Sequence, residues 1–239
     1  MLETRSTIRL PRTPQAVVFD MDGLLFDTET LARDAMMRTA PDFGYEMPVS
    51  LYLDMIGLPG DATRSVLRQH FGEAFDADKF WDRAAAHFEM LVATELRLKP
   101  GVAELVGLLE EMGLRFAIAT SSRHDDVQRN LGALALIDRF PTVVAYGDYA
   151  RGKPHPDPFL TAAKRLAVAP EFCLALEDSH NGVRSATSAG MMTVMVPDLL
   201  PPTEDVRAIC VGIANSLHDV SEALKATQRQ ADDAPRSPS

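Results

Sequence analysis

Acidic, hydroxyl and basic residues stand directly after short apolar segments at several points of this sequence. Asp20-Met21-Asp22-Gly23 follows the first of these segments, Thr120-Ser121-Ser122 the second and Glu177-Asp178 the fourth, and Lys153 lies in the loop after the third. Carboxylate oxygens suit Mg²⁺, whereas hydroxyl and ammonium groups suit phosphate oxygens. If these residues meet in space, they could bring a divalent cation to a phosphate group and support phosphoryl transfer.

The elements that must position these residues are predicted from the apolar pattern. Five compact apolar segments are typical of buried parallel strands: 16–20, 115–119, 142–145, 172–176 and 192–196. Helical periodicity separates them, at 101–112, 158–167 and 181–189. This alternation predicts an α/β fold with a Rossmann-like parallel sheet. Ligands of such sheets bind at the carboxyl ends of the strands, so we expect the polar residues to converge there.

One long stretch interrupts the alternation. Residues 31–98 contain helix-like segments but no convincing strand, and we expect them to form a helical cap domain inserted into the core. The core is then 1–30 plus 99–226. Residues 227–239 are rich in polar residues and proline and are expected to form a disordered tail.

The charge balance excludes several classes of partner. Lys and Arg number 24 against 34 Asp and Glu, a formal net charge of −10. An acidic chain is poorly suited to nucleic acid or to an anionic membrane surface, because both are bound by excess cations. The two cysteines cannot form a disulfide framework. We expect a cytoplasmic monomer with no nucleic-acid or membrane partner.

One other motif is a false match. Residues 147–153 fit the G-x-x-x-x-G-K part of a nucleotide-binding P-loop, but Pro154 stands where Ser or Thr is required. Proline also lacks the N–H group that a phosphate cradle uses. The sequence therefore disfavours a P-loop nucleoside triphosphatase.

Four segments together resemble the haloacid dehalogenase-like (HAD) phosphohydrolases. The first is 20–29, beginning Asp20-Met21-Asp22-Gly23; the second is Thr120-Ser121-Ser122, the third Lys153-Pro154 and the fourth 177–186, beginning Glu177-Asp178-Ser179. Their order and spacing fit, and the likeness covers roughly 16–224. The inserted helical cap resembles the β-phosphoglucomutase and sugar-phosphatase branch. The resemblance implies a Mg²⁺-dependent phosphatase for a small phosphorylated metabolite, with the cap closing over the site to exclude water.

The resemblance also implies catalytic roles. Asp20 would be the nucleophile that forms an aspartyl-phosphate. Asp22 would protonate the leaving alcohol and then deprotonate the attacking water. Thr120 would hydrogen-bond the phosphoryl group through its hydroxyl and backbone N–H, and Lys153 would neutralise charge on the phosphoryl oxygens and on Asp20.

Metal and substrate contacts follow from the same resemblance. The implied Mg²⁺ ligands are Asp20, the backbone carbonyl of Asp22, and Asp178, with Glu177 ligating directly or through water. Ser121 is a further substrate-binding candidate, and Gly23 suits a tight turn that lets the backbone approach the phosphate. Arg64 and Arg123 are candidates for contacts to the leaving group, with solvated surface arginines as the alternative.

Particular residues distinguish a phosphatase from the other functions found in this family. Dehalogenases typically lack an acid at the position of Asp22, which is present here. Phosphomutases of this branch carry basic residues where this chain has Ala32, Ile56 and Gly60, so the departure favours hydrolysis over a β-phosphoglucomutase-like transfer. A non-enzymatic regulatory protein of the same fold is the remaining alternative, but it predicts the loss of a key motif, and all four are intact.

Overall fold

The computed structural model describes residues 8–56, 58 and 60–232 and divides into two compact units. One unit comprises the chain up to Leu25 together with the chain from Leu98 onward, and the other comprises Phe26–Arg97. The core at 1–30 plus 99–226 and the cap at 31–98 stay predictions from the sequence. The first helix of the helical unit begins at Thr28.

The unit Phe26–Arg97 is helical throughout its described elements. Its α-helices are α1 (Thr28–Thr39), α2 (Val49–Met55), α3 (Gly60–Phe71) and α4 (Ala77–Glu95), with a short 3₁₀ helix at Ala40–Phe43. Asp76 caps α4 by accepting a hydrogen bond from the Lys79 backbone N–H at 3.1 Å. Helix α1 packs along α4, where Thr39 Oγ1 and His87 Nδ1 are 2.9 Å apart.

The other unit is built on a parallel sheet, which confirms the predicted α/β Rossmann-like fold. Within the described residues six strands pair in the order β3-β2-β1-β4-β5-β6. The strands are β1 (Ala16–Phe19), β2 (Arg115–Ala119), β3 (Val143–Val144), β4 (Cys173–Glu177), β5 (Met192–Met195) and β6 (Gly212–Ile213). Every residue of β1, β4 and β5 is buried, which explains why these strands are apolar except at Glu177 and Thr193. The sequence did not predict β6, because one of its two residues is glycine, which is depleted in strands, whereas the equally short β3 is formed by two valines.

The helices that join these strands fix the loops around the sheet. They are α5 (Val102–Glu111), α6 (His124–Ala133), α7 (Asp157–Leu166), α8 (His180–Ser188), α9 (Glu204–Ile209) and α10 (Leu217–Asp232), with 3₁₀ turns at Ile137–Arg139 and Pro170–Phe172. One buried cluster joins Phe159 and Ala163 of α7 to Val18 of β1 and Ala117 of β2. Since α7 follows the loop that carries Lys153, this packing holds that loop against the sheet.

The carboxyl-terminal helix corrects one expectation. Disorder was predicted from Thr227, but α10 continues through that residue to Asp232. The helix is held by Leu217, Val220 and Leu224, which are buried at helical spacing, and good helix-forming residues extend it. The remainder of the predicted tail, 233–239, lies outside the described residues.

None of the helices in the described part of the chain combines the length and the apolar composition needed to cross a bilayer.

Candidate active site

Three neighbouring strands deliver polar residues to one edge of the sheet. Asp20 follows β1 and donates its backbone N–H to Leu176 O at 2.9 Å, which places it beside the end of β4. Glu177 is the last residue of β4, and Thr120 follows β2. The chain passes from β1 to β2 on one side, whereas β4 pairs with β1 on the other side. Such a reversal of strand order opens a crevice at the carboxyl ends, where ligands of these sheets bind.

Lys153 joins two of the carboxylates. Its ammonium group donates to Asp20 Oδ1 and, at 2.6 Å, to Glu177 Oε1. The side chain is only 7% exposed and lies 5.1 Å from the centre of the Phe159 ring. Burial lowers the pKa of Lys153, but the attraction of Asp20 and Glu177 outweighs burial and holds that pKa above its ordinary value. Lys153 is therefore a fixed cation between strands β1 and β4.

For Asp20, the effect of burial on the pKa outweighs the attraction of Lys153. Burial raises the pKa of Asp20 to about 8; Lys153 opposes this rise, and the neighbouring carboxylates of Glu177 and Asp22 add to it. One lysine thus does not compensate the negative charge gathered around Asp20.

Glu177 is held at both of its oxygens. Its Oε1 accepts from Lys153, and its Oε2 accepts from both the backbone N–H and the hydroxyl of Ser179, each at 3.0 Å. The Ser179 hydroxyl also accepts from Gly182 N at 3.0 Å and so caps α8. A Cβ at Gly182 would lie 1.7 Å from Glu177 Oε1, so only glycine fits there. These contacts leave the fully buried Glu177 with a single orientation.

The loop after β1 approaches Asp178 very closely. Gly23 has φ +80°, and a Cβ on it would lie 2.3 Å from Asp178 Oδ2. Glycine is therefore required both by the backbone conformation and by this approach.

Asp22 is bound by a residue that sequence reasoning did not select. The Ser122 hydroxyl donates to Asp22 Oδ2 at 2.6 Å, whereas Ser121 is exposed. Both serines belong to the second motif, and the sequence alone does not distinguish which one faces Asp22. The same is true of Ser179 and Gly182, whose spacing indicates only a helix cap.

Thr120 contributes its side chain rather than its backbone N–H. That N–H donates to Val144 O at 2.9 Å and is engaged in the sheet, which corrects the expectation that it would bind a phosphoryl group. The Thr120 hydroxyl accepts from the backbone N–H of Ser122 at 3.0 Å, and the Tyr149 hydroxyl donates to Thr120 O at 3.1 Å. The hydroxyl proton of Thr120 is therefore its group suited to a phosphate oxygen.

The two candidate arginines occupy separate units. Arg64 lies on α3 of the helical unit, where its guanidinium pairs with Asp78 at 2.6 Å and lies 5.5 Å from the centre of the Trp81 ring. Arg123 stands at the N-cap position of α6 in the other unit, where its backbone N–H donates to Asp126 Oδ2 at 3.3 Å and its guanidinium lies 6.0 Å from the centre of the Tyr146 ring. Each arginine therefore has a contact within its own unit.

The donor set suits a hard divalent cation. Asp20, Glu177 and Asp178 each offer a carboxylate oxygen, and these three oxygens lie within 4.8 Å of one another. Burial, together with the neighbouring carboxylates of Glu177 and Asp22, raises the pKa of Asp20, and a divalent cation at this cluster would favour the ionised form of Asp20. Oxygen ligands from a few carboxylates are those that Mg²⁺ prefers.

Comparison with known proteins agrees with this geometry. A family model described as haloacid dehalogenase-like hydrolase matches residues 17–196. Hexitol phosphatase B of Escherichia coli (strain K12) is 33% identical over 190 residues, which cover 78% of this chain and 85% of that protein. A phosphorylated carbohydrates phosphatase of Thermotoga maritima is 29% identical over 213 residues, covering 89% and 91%. The crystal structure of CbbY from Rhodobacter sphaeroides in complex with phosphate aligns with a TM-score of 0.69 at 26% identity, covering 86% and 95%.

Proposed function

The chain belongs to the haloacid dehalogenase-like hydrolases and is a phosphoric monoester hydrolase, and we propose that it is a Mg²⁺-dependent phosphatase acting through an aspartyl-phosphate intermediate. The observation that carries this proposal is the convergence of Asp20, Lys153, Glu177 and Asp178 at the ends of β1 and β4. The relatives' names support a sugar phosphate or polyol phosphate as the substrate. We further propose a cytoplasmic monomer with a core at 1–30 plus 99–226 and a cap at 31–98.

The first half of the reaction forms the intermediate. A carboxylate oxygen of Asp20 attacks phosphorus, the new O–P bond forms, and the bond from phosphorus to the ester oxygen breaks. Asp22 gives its proton to the departing alkoxide, so the alcohol leaves neutral. Lys153 and the Thr120 hydroxyl stabilise the charge on the transferring phosphoryl oxygens.

The second half returns the enzyme to its starting state. Asp22, now ionised, takes a proton from a water molecule, and the resulting hydroxide attacks phosphorus. The Asp20 O–P bond breaks, inorganic phosphate leaves, and both aspartates regain their initial protonation. The residues that would hold Mg²⁺ are Asp20, the backbone carbonyl of Asp22 and Asp178, with Glu177 ligating directly or through water. The bound ion would supply positive charge that keeps Asp20 ionised and offsets repulsion of the anionic substrate.

A panel of phosphomonoesters tests the reaction and the substrate class together. We expect release of inorganic phosphate from hexose or hexitol phosphates with Mg²⁺, its loss on adding a chelator, and its return with excess Mg²⁺, because the carboxylates around Asp20 need a cation before an anion can approach. Substrate and products are followed by chromatography. An isomeric sugar phosphate formed without phosphate release would indicate a mutase, and no metal-dependent reaction with any ester would contradict the proposal.

The Ser122–Asp22 hydrogen bond gives a second prediction. Ser122→Ala should lower kcat roughly tenfold, since the lost hydrogen bond no longer orients the proposed acid and base. Ser188→Ala is the matched control, because that serine is exposed at the carboxyl-terminal end of α8 and lies outside the proposed site, and its kcat should stay at the wild-type value. Steady-state kinetics on the best substrate of the panel measures both. Equal effects of the two changes would show that the Asp22 contact has no role in turnover.

A further inference from the structure

A second buried carboxylate lies at the same edge of the sheet, outside the proposed machinery. Asp198 belongs to the loop after β5, the strand that pairs in parallel with β4. Its side chain is only 7% exposed, and its Oδ1 accepts from the Lys99 ammonium at 2.6 Å. Its other oxygen, Oδ2, is buried and has no hydrogen-bond partner among the described residues. A buried, unsatisfied anionic oxygen is unfavourable unless it serves a ligand.

The unsatisfied oxygen lies near Asp178, one of the three carboxylates of the proposed metal site. A Cβ on Gly23 would lie 3.3 Å from Asp198 Oδ2 and 2.3 Å from Asp178 Oδ2, so both oxygens lie close to the same side of Gly23. Gly23 directly follows Asp22. Asp198 therefore borders the acidic cluster on the side of Asp178.

The distances argue against direct ligation by Asp198. The group of carboxylates whose oxygens lie within 4.8 Å of one another consists of Asp20, Glu177 and Asp178, and Asp198 lies outside it. Mg²⁺ keeps several waters when proteins bind it through few carboxylates, and these waters need hydrogen-bond acceptors. An anionic acceptor also repels phosphate, so the phosphoryl group of a substrate is a poor alternative occupant.

We propose that Asp198 accepts a hydrogen bond from the hydration shell of the divalent cation and that Lys99 holds it in that orientation. The inference rests on the proposed function, because it assumes that cation. Lys99 is itself well placed, since its backbone N–H donates to Leu25 O at 2.9 Å, in the segment that leads from Gly23. Asp198 is thus a positioning residue that strengthens metal binding without ligating the metal, in the way that outer-shell acceptors do in other metal sites.

Mn²⁺ binding without substrate tests this role directly. The electron paramagnetic resonance signal of free Mn²⁺ gives the Kd of the full chain, and we expect Asp198→Asn to raise it about tenfold. Asp205→Asn is the matched control: it makes the same change of charge at an exposed position on α9 and should leave the Kd unchanged. Asp198→Ser, which shortens the side chain, is the second variant if the amide does not fold, and the same weakening is expected.

The outcomes separate this inference from the proposed function. Asp178→Asn should abolish tight Mn²⁺ binding, and wild-type affinity in that variant would overturn both the metal site and the role of Asp198. Loss in Asp178→Asn with wild-type affinity in the Asp198 variants would overturn the role of Asp198 alone. A lower metal-free Tm with an unchanged Kd would show that Asp198 is merely structural, and an effect that requires substrate would also contradict the proposal.

Discussion

Replacing Asp20 by Asn should abolish turnover, with kcat at least about 10³-fold below that of the wild type. The amide has nearly the same shape as the carboxylate, but it is a poor nucleophile and a weaker ligand for a divalent cation. It also removes the partner of Lys153 at the end of β1. The fold should survive, because Glu177 still pairs with Lys153 and because burial already disfavours the charged form of Asp20.

The intermediate itself can be measured in the same experiment. Wild-type protein mixed with phosphorus-labelled substrate and quenched in acid should carry label that hydroxylamine releases, as expected of an acyl phosphate, and Asp20→Asn should carry none. Circular dichroism and thermal unfolding check that the variant is folded, and Asp205→Asn, at an exposed site, serves as the charge-matched control. More than a tenth of wild-type activity in folded Asp20→Asn would end the covalent mechanism.

Replacing Lys153 by Met should damage both stability and activity. The ammonium group is buried between Asp20 and Glu177, and removing one partner of a buried ion pair costs about 3–5 kcal/mol of folding free energy because the remaining charge is left uncompensated. We also expect kcat/KM to fall by at least about 10²-fold, since a fixed charge near the phosphoryl oxygens is lost.

The pH dependence of the lost folding free energy tests the buried ion pair more directly than the size of the loss does. Burial already raises the pKa of Asp20 to about 8 in the wild type, and losing the opposing Lys153 should raise it further. A carboxyl with a raised folded-state pKa binds more protons when folded, so it destabilises the fold as pH rises above its unfolded value. Because folded Asp20 is protonated below about pH 8 in both proteins, the difference should appear only above that pH: urea unfolding should show a larger deficit for Lys153→Met at pH 9 than at pH 7.

An exposed lysine of the same unit provides the control. Lys225 pairs with Glu222 on α10 and is 44% exposed, so Lys225→Met should change the unfolding free energy by about 0.5 kcal/mol or less. If Lys153→Met is as stable as this control at pH 9, the buried pair does not stabilise the folded state as described.

The sequence by itself determined the fold and the edge of the sheet where the chemistry-bearing residues meet. The buried strands appear as continuous apolar runs, and parallel strands bring their carboxyl ends to one edge. Asp20, Thr120 and Glu177 were therefore placed together although they lie far apart along the chain. The catalytic roles stay predictions, because they came from the family resemblance rather than from spacing.

The sequence pattern did not predict two features of the fold, the strand β6 and the part of α10 beyond Thr227. The strand Gly212–Ile213 has one glycine and one apolar residue, and it is defined by its pairing with Val194 and Met195 of β5, which are distant along the chain. Helix α10 extends past Thr227 because its earlier turns are packed through Val220 and Leu224. Local composition at 227–232 carries no sign of that packing.

Only the tertiary structure decided which group binds which. Lys153 joins Asp20 and Glu177, Ser122 rather than Ser121 binds Asp22, and Asp198 holds an unsatisfied oxygen beside Gly23. Each of these contacts depends on loop conformations and side-chain rotamers that join distant parts of the chain. Residue type and spacing set which chemistry is available at an edge of a sheet, whereas the packing of loops and helices against that edge selects the partners.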